Sequence, residues 1–221
     1  MTINNNSQLR NERKFIFFES QHSIDKLLKF IGAKEIYNSR EINSIYFDTY
    51  FHKNYYEAID GIMFRSKLRL RWYGEIFNRE IKPQLENKSR INQHNYKITK
   101  KLKNFKTQSK FSLINFQKYI QNEKNNDPEI NFYLNNLHPN LLVSYCRKYF
   151  SLNNIRITLD VDLKFVNLAK INYLSKSNFL CLNKKKIVEL KYGDKFHNQA
   201  HKITDIFNNR LSKFSKYQVG L

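Results

Sequence analysis

The sequence is poor in glycine and cysteine and contains no long apolar run. Its five glycines are isolated, which excludes the P-loop and the dinucleotide-binding fingerprint, since both need two or three closely spaced glycines. Two cysteines, Cys146 and Cys181, are too few for a disulfide framework or a four-cysteine zinc site. No stretch approaches the roughly 18 consecutive apolar residues of a transmembrane helix. We therefore expect a protein without a membrane span, a disulfide scaffold or a glycine-rich nucleotide loop.

Acidic residues are scarce relative to basic ones. The 221 residues include 39 Lys and Arg against 19 Asp and Glu, which gives a formal net charge of +20. This excess favours a negatively charged partner, such as nucleic acid, an anionic membrane surface or a phosphorylated molecule. Lysine outnumbers arginine 28 to 11 and asparagine reaches 29, a bias typical of AT-rich codons that inflates the charge without any function. The arrangement of the charges is therefore more informative than their number.

The overall composition indicates a folded intracellular protein. Hydrophobic residues make up 41% and aromatic residues 15% of the chain, which is enough for a core and argues against disorder. Residues 1–13 are polar and lack the apolar segment of a secretory signal. We predict a cytoplasmic protein with a disordered tail at residues 1–9 and a single domain over residues 10–221.

Cap residues predict the positions of several helices. We expect Ser23 to cap a helix that ends at Gly32, and Asp127 to begin a helix that ends near Leu137. Two further helices are predicted over about residues 111–122 and 197–211. The segments between these helices have the two-residue period that is typical of β-strands.

One predicted strand has all its basic residues on one face. In residues 64–72 the side chains of Arg65, Lys67, Arg69 and Arg71 share a face, and mainly apolar side chains occupy the other. Neighbours on one face of a strand are only about 6.6 Å apart, so four like charges in a row repel one another. A bound anion would relieve this repulsion, whereas a solvated surface strand is the alternative interpretation.

Similar patterns recur in five other short segments. These segments lie at residues 12–14, 80–82, 145–150, 155–163 and 187–192, and their polar faces carry charges of both signs with basic residues in excess. A closed antiparallel barrel would turn these faces inward, whereas an open sheet would expose them to water. We predict an α+β fold, an antiparallel β-barrel tunnel lined by Lys, Arg and a few Glu, with helices packed on the outside.

A basic lining interspersed with carboxylates suits phosphate chemistry. Arginine makes bidentate contacts with phosphate, and lysine acts as a point charge. Phosphoryl transfer depends mostly on positioning and charge neutralisation, usually with a divalent metal held by carboxylates. No serine–histidine–aspartate or cysteine–histidine arrangement stands out in the sequence.

Eight short segments together carry a resemblance to a known family. They occur in the family's order from about residue 10 to the C-terminus, and one of them ends in Arg-Trp-Tyr-Gly. The segments are Glu12–Phe15, Asn43–Thr49, Arg65–Gly74, Glu80–Lys82, Tyr145–Arg147, Arg156–Asp160, Val188–Lys191 and Phe214–Tyr217. The chain resembles the catalytic domain of the vacuolar transporter chaperone (VTC) polyphosphate polymerase in its stand-alone bacterial form. That domain belongs to the CYTH-like triphosphate tunnel metalloenzyme superfamily.

The resemblance implies transfer of the γ-phosphoryl group of ATP to a growing polyphosphate chain inside the tunnel, with Mn²⁺ or Mg²⁺ as cofactor. ATP and inorganic polyphosphate are the implied partners. The implied catalytic residues are Lys14, Arg69, Arg71, Lys82, Arg147 and Arg156. The implied substrate-binding residues are Arg65, Lys67, Lys97, Tyr145, Lys191, Lys213, Ser215 and Lys216, and the implied metal ligand is Glu189.

One departure from the superfamily pattern bears on the activity. Hydrolytic members begin with Glu-x-Glu-x-Lys, whereas this chain has Arg10 in place of the first glutamate, which argues against a triphosphatase. A CYTH-type triphosphatase and a catalytically silent polyphosphate- or nucleotide-binding tunnel remain alternatives.

A nucleic-acid binder is suggested by charge alone. Carboxylates on the basic strand faces would repel a nucleic-acid backbone, so we expect no nucleic-acid partner. We expect this chain to carry neither the phosphate-sensing nor the membrane-spanning parts of the eukaryotic complex. This leaves room for an unidentified membrane or protein partner.

Overall fold

The structure is a computed structural model that describes residues 10–18, 20–92, 94–106, 111–182 and 184–221. The predicted tail at residues 1–9 lies outside the described residues. The strands are β1 Arg10–Phe17, β2 Lys34–Asp48, β3 Phe64–Tyr73, β4 Glu80–Ile81, β5 Gln84–Ile91, β6 His94–Lys101, β7 Phe105–Lys106, β8 Phe111–Ser112, β9 His138–Leu152, β10 Ile155–Asn167, β11 Tyr173–Leu174, β12 Leu180–Leu182 and β13 Lys186–Gly193. The α-helices are α1 Gln21–Phe30, α2 Lys53–Ile59, α3 Leu113–Asn126, α4 Pro128–Leu134, α5 His197–Phe207 and α6 Lys216–Gly220. Short 3₁₀ helices cover Leu168–Lys170, Lys176–Asn178 and Asp194–Phe196.

Nine of the strands form one antiparallel sheet. Its hydrogen-bonded order is β1-β13-β10-β9-β2-β3-β5-β6, and β12 pairs with β10 beside this path. The 15-residue strands β2 and β9 pair along most of their length at the centre. The pairs β4–β7 and β8–β11 form two small sheets of their own. This arrangement confirms the predicted α+β class built on an antiparallel sheet.

The sheet curls around a lumen. Lys67 on β3 donates a hydrogen bond to Ser215 at 3.1 Å, while the next residue, Lys216, pairs with Asp160 on β10 at 2.5 Å. Strands β9 and β2 separate β10 from β3, so in a flat sheet these strands would lie about 14 Å apart. Two consecutive residues reach both strands because the inner faces turn toward each other. The strands therefore form the wall of the predicted tunnel, and the C-terminal segment lies within it.

The outer face of the sheet carries two apolar clusters covered by helices. Phe47, Leu70 and Trp72 of β2 and β3 pack beneath α3 and α4, where Trp72 stacks on Phe111. Strands β1, β10 and β13 form the second cluster with residues of α1 and α5. Burial of an apolar helix face against an apolar sheet face supplies most of the stability of such layers. The helices lie on the outer face of the curled sheet, as predicted. Among the described residues the edge strands β1 and β6 do not pair with each other, so hydrogen bonds do not close the sheet into the complete barrel that the sequence predicts.

Helix ends follow the local capping chemistry. Ser20 caps α1 by accepting a hydrogen bond from the Ser23 amide, so the helix begins earlier than the predicted cap at Ser23. Gly32 adopts a φ of +82° just after the helix, which confirms its predicted role as the terminator. Asp127 caps α4 as predicted, and this helix ends at Leu134.

A bulge in β10 exchanges the two faces of that strand. The pairing with β9 shifts after Val161, and Asp162 takes a φ of +54°, which aspartate tolerates better than most residues. Strict alternation predicts Leu163 on the outer face with Val161. Instead the bulge places Leu163 in an inner cluster with Phe165 and Tyr217. The inner face is therefore polar along the middle of the barrel and apolar at one end.

Helix α6 fills this apolar end. The Tyr217 hydroxyl donates a hydrogen bond to the buried carboxylate of Asp48, and its ring stacks on Tyr46 at a centroid distance of 5.0 Å. Gly220 lies so close to the sheet that an added Cβ would overlap the Phe165 ring. The C-terminal helix thus closes one end of the tunnel.

Candidate active site

The first ionic cluster of the lining surrounds Glu86 on β5. Its carboxylate accepts hydrogen bonds from Arg69 at 2.8 Å and from Lys97 at 2.7 Å, and Arg71 lies 3.5 Å away. Burial favours the neutral acid, but the three cations outweigh it and lower the pKa of Glu86 to about 2. β3 and β5 bring these groups together, because Arg69 and Glu86 are direct cross-strand neighbours.

The second cluster surrounds Asp160 on β10, which is 1% exposed. Arg147 binds it in a bidentate manner at 2.5 and 2.8 Å, and Lys216 lies 2.5 Å from the same carboxylate. Lys216 and Arg147 also lie over the Tyr145 ring, at 4.4 and 5.3 Å from its centroid. Despite burial, the two cations lower the pKa of Asp160 to about 2. This cluster fixes two of the predicted phosphate-binding cations in one place.

The third cluster is a square of alternating charges on β1 and β13. Glu12 and Glu189 both contact Lys14 and Lys191, with Lys191 at 3.4 Å from Glu12 and 2.7 Å from Glu189. The register pairs Glu12 with Lys191 and Lys14 with Glu189, so the square follows directly from strand pairing. Burial raises the pKa of Glu12, but Lys14 and Lys191 together bring it down to about 2.

Two lysines on the lining have no carboxylate partner among the described residues. Lys67 donates to Ser215, and Lys88 on β5 forms neither a hydrogen bond nor an ion pair with any described side chain. The Lys88 side chain is accessible to solvent inside the lumen, but the strands of the tunnel wall surround it and reduce the volume of water around the ammonium group. This enclosure and the charges of Arg69 and Lys191 lower its pKa to about 7. An anion in the lumen would meet these two lysines without displacing a carboxylate.

The structure brings most of the predicted site residues together. Those that line the tunnel or contact its ionic clusters are Lys14, Lys67, Arg69, Arg71, Lys97, Tyr145, Arg147, Glu189, Lys191, Ser215 and Lys216.

Four predicted residues lie outside the three ionic clusters, and two of them, Arg65 and Arg156, lie on tunnel-facing strand surfaces toward opposite ends. Lys82 is exposed on the link between β4 and β5. Arg156 is exposed at the start of β10, opposite the lining residue Lys191 and over the Tyr149 ring at 5.6 Å, and Lys213 is exposed on the C-terminal segment. Arg65 lines a cavity beside α2, away from the ionic clusters. None of the four has an ion pair with the described part of the chain.

Sequence reasoning missed Glu86 and Lys88. The pattern Glu-x-Lys occurs twice within nine residues, at residues 80–82 and 86–88, and the family resemblance implies the first copy. The structure brings the second copy to the lining, because β5 pairs with β3 so that Glu86 lies opposite Arg69 and Lys88 opposite Lys67. The signal was present, but the choice between the copies depends on strand register.

Glu189 has surroundings that fit a metal ligand. Its side chain is 9% exposed and lies near Glu12 through the two shared lysines. Thr158, its cross-strand neighbour, has a buried hydroxyl without a hydrogen-bond partner in the described part of the chain. No group of three or more His, Cys, Asp or Glu side chains that could hold a metal occurs within residues 10–18, 20–92, 94–106, 111–182 and 184–221. Mg²⁺ and Mn²⁺ commonly use one or two carboxylates together with substrate phosphates, so Glu189 fits an ion completed by phosphate oxygens.

The sequence matches the model of one protein family. The VTC domain model matches residues 6–221, nearly the whole chain. The chain belongs to the VTC domain family. This confirms the resemblance drawn from the eight segments. No curated protein matches the sequence.

Solved structures confirm the fold of this VTC domain. A candidate adenylate cyclase from Bacillus halodurans is 12% identical, with a TM-score of 0.54 and coverage of 95% of this chain and 97% of that one. A candidate adenylate cyclase from Vibrio parahaemolyticus is 10% identical, with a TM-score of 0.52 and coverage of 95% and 96%. A conserved hypothetical protein from Pyrococcus furiosus is also 10% identical, with a TM-score of 0.52 and coverage of 96% and 100%. The VTC domain therefore shares the fold of these proteins.

Within the described residues, the VTC domain has no helix that combines the length and the apolar character needed to cross a membrane.

Proposed function

We propose that this VTC domain is a metal-dependent phosphotransferase that moves the γ-phosphoryl group of ATP onto a growing polyphosphate chain. The observation that carries the proposal is the excess of cations on an enclosed lining, where nine lysine and arginine side chains accompany four carboxylates. This excess of positive charge is larger than the triphosphate of one ATP requires for neutralisation. It suits two polyanions, ATP and the polyphosphate chain, placed end to end.

The lining residues would act by positioning and charge stabilisation. Arg69 and Arg147 present guanidinium groups for bidentate contacts, and Lys14 on β1 and Lys216 on α6 add point charges. As phosphate oxygens enter, they would replace carboxylate oxygens around these cations. A divalent ion bound by Glu189 would neutralise charge on the transferring phosphoryl group.

The sequence favours a polymerase over a triphosphatase. The position of the first glutamate in the hydrolytic pattern is Arg10, so one carboxylate of that pattern is missing. Fewer carboxylates on the lining leave more cations free for a chain of phosphates. We further propose that residues 10–221 form a single domain that works in the cytoplasm, where ATP is available.

The test is to incubate the purified protein with ATP and Mn²⁺ and to stain a gel for polyphosphate. We expect Glu189→Gln to lower the rate of chain growth by about 10²–10³-fold while polyphosphate binding persists, because the lost group stabilises charge in the transition state. Arg69→Ala should reduce both binding and synthesis. Lys26→Ala, on the exposed face of α1, is the matched control and should change neither.

The outcomes separate the alternatives. Phosphate release from tripolyphosphate without chain growth would identify a triphosphatase. Binding of polyphosphate without either reaction, unaffected by Glu189→Gln, would identify a catalytically silent tunnel and would contradict the proposed activity.

A further inference from the structure

A second basic site lies beside α2 at one end of the tunnel wall, where β3 begins and β5 ends. It is a cavity of about 310 Å³ whose walls include Lys53, Arg65, Arg90 and one carboxylate, Glu57. Arg65 and Arg90 are direct cross-strand neighbours, so their positive charges repel each other. Partial burial and, to a smaller extent, the charge of Arg90 lower the pKa of the Arg65 guanidinium from its usual value.

Neither guanidinium group has a carboxylate partner among the described residues. Arg65 donates to the Ile62 carbonyl at 2.6 Å, and Arg90 donates to the Asn92 carbonyl at 2.9 Å. Glu57 pairs loosely with Lys53, at 3.8 Å. Two adjacent arginines that bind only backbone carbonyls retain donors for an anion, and a phosphate group matches their geometry.

Exposed apolar side chains lie on the wall of this cavity and next to its wall residues in the chain. Phe64 lies on the wall and is 60% exposed, while Met63, which precedes Phe64, and Phe51, two residues before the wall residue Lys53, are 62% and 80% exposed. The Met63 carbonyl accepts a hydrogen bond from the amide of Asn92, which follows the wall residue Ile91. The other exposed members of this group are Tyr50, Tyr56 and Ile62. An exposed apolar patch of this kind usually marks an interaction surface.

The combination of a phosphate-binding cavity and an apolar rim indicates the partner. A free polyphosphate chain is strongly hydrated, so exposed Phe51 and Met63 contribute nothing to its binding. A phospholipid surface presents phosphate groups directly above acyl chains and would satisfy both features. We propose that the face formed by α2 and the ends of β3 and β5 binds the phosphate headgroups of an anionic phospholipid membrane, with the exposed aromatic side chains inserted between lipids.

This docking would leave the other end of the tunnel facing water. Tyr55 of α2 contacts Tyr217 of α6 at a centroid distance of 6.1 Å, so the docking face lies beside the end that α6 closes. Tyr149 and Arg156 lie toward the opposite ends of their strands. Substrates could therefore enter from the aqueous side of a docked protein.

The test is flotation of the full chain with phosphatidylcholine vesicles that contain or lack phosphatidylglycerol. We expect binding only when phosphatidylglycerol is present. Arg65→Gln with Arg90→Gln should weaken it about 30-fold, because each basic residue near an anionic surface contributes roughly fivefold. The matched control, Lys26→Gln with Lys29→Gln on α1, removes the same charge from another face and should have a much smaller effect.

A second pair of variants tests the apolar rim. Phe51→Ser with Met63→Ser should weaken vesicle binding by at least about tenfold, since both side chains lose their burial in lipid. Phe132→Ser on α4 removes an equally exposed aromatic ring, at 77% exposure, and should leave binding unchanged.

Three results would overturn the proposal. They are equal binding to both vesicle types, an equal loss in the control variants, and binding of tripolyphosphate at Arg65 and Arg90 without any vesicle binding. The last result would identify a site for free polyphosphate. No ATP or metal is present in this assay, so its outcome is independent of the proposed polymerase activity.

Discussion

Lys88 is a lining cation whose charge changes near neutral pH. Its pKa of about 7 results from enclosure by the tunnel walls and from the nearby Arg69 and Lys191. A bound polyanion favours the protonated lysine, so we expect polyphosphate affinity to be greatest below pH 7. Above pH 7 the affinity should fall, by up to about tenfold per pH unit, because binding then requires uptake of a proton.

Titrations with long-chain polyphosphate between pH 6 and pH 9 measure this dependence. Lys88→Arg is the control, because arginine stays charged over the whole range. The same pH dependence in this variant and in the wild type would show that another group is responsible.

Asp160 is the residue whose removal should destabilise the lining most. Asp160→Asn leaves Arg147 and Lys216 largely buried without their carboxylate, at 14% and 13% side-chain exposure. We expect a loss of about 3 kcal/mol in the free energy of unfolding, measured with urea at pH 7. Asp25→Asn removes a comparable but more exposed ion pair with Lys148, at 2.7 Å, and should cost less than about 1 kcal/mol.

The pH dependence of this effect has a defined sign. The pKa of Asp160 is about 2 in the folded protein and near 3.8 when unfolded, so its stabilising contribution is present above pH 4. It is lost as the pH falls toward 2. The difference between wild type and Asp160→Asn should therefore shrink between pH 4 and pH 2.5. A constant difference over this range would contradict the ion-pair explanation.

At the scale of elements, the docking of α6 depends on Gly220. An added side chain at this position meets Phe165 and, at 2.8 Å, Leu141. We expect Gly220→Val to reduce the free energy of unfolding by about 2 kcal/mol through overpacking. Gly193→Ala is the control, because its Cβ would meet no atom within 4 Å. Equal stability of Gly220→Val and the wild type would show that α6 is not held tightly against the sheet.

Elements with a local pattern could be predicted from the sequence, whereas those that depend on pairing could not. The basic face of β3 follows from alternation within one strand, which predicts that Arg69 and Arg71 share a face, and both contact Glu86. The choice between Lys82 and Lys88 depends on how β5 pairs with β3. In the sequence of β10, apolar and polar residues alternate without interruption, but the bulge at Asp162 exchanges the inner and outer faces of the strand. Register and bulges are properties of strand pairs, so a single strand sequence does not reveal them.

At the scale of the whole molecule, only part of the net charge of +20 faces the tunnel. We expect polyphosphate to raise the melting temperature, because a ligand that binds only the folded state stabilises it by about 2.7 kcal/mol at a hundred times its dissociation constant. Arg69→Gln with Lys88→Gln should remove most of this shift, measured by differential scanning calorimetry. Lys26→Gln with Lys29→Gln should preserve it. An equal loss in both pairs would mean that polyphosphate binds the outer surface nonspecifically.

The carboxylates among the lining cations affect how a polymer would travel through the barrel. Glu86, Asp160 and Glu189 already hold most of the cations in their binding orientation. A phosphate that leaves a cation is replaced by a carboxylate rather than by an empty site, so each advance of the chain exchanges one anionic partner for another. The energy along the path then stays nearly level, and a polymer can slip forward by one unit without dissociating. Under the proposed function, such a lining would favour processive growth of a single long chain over repeated release of short ones.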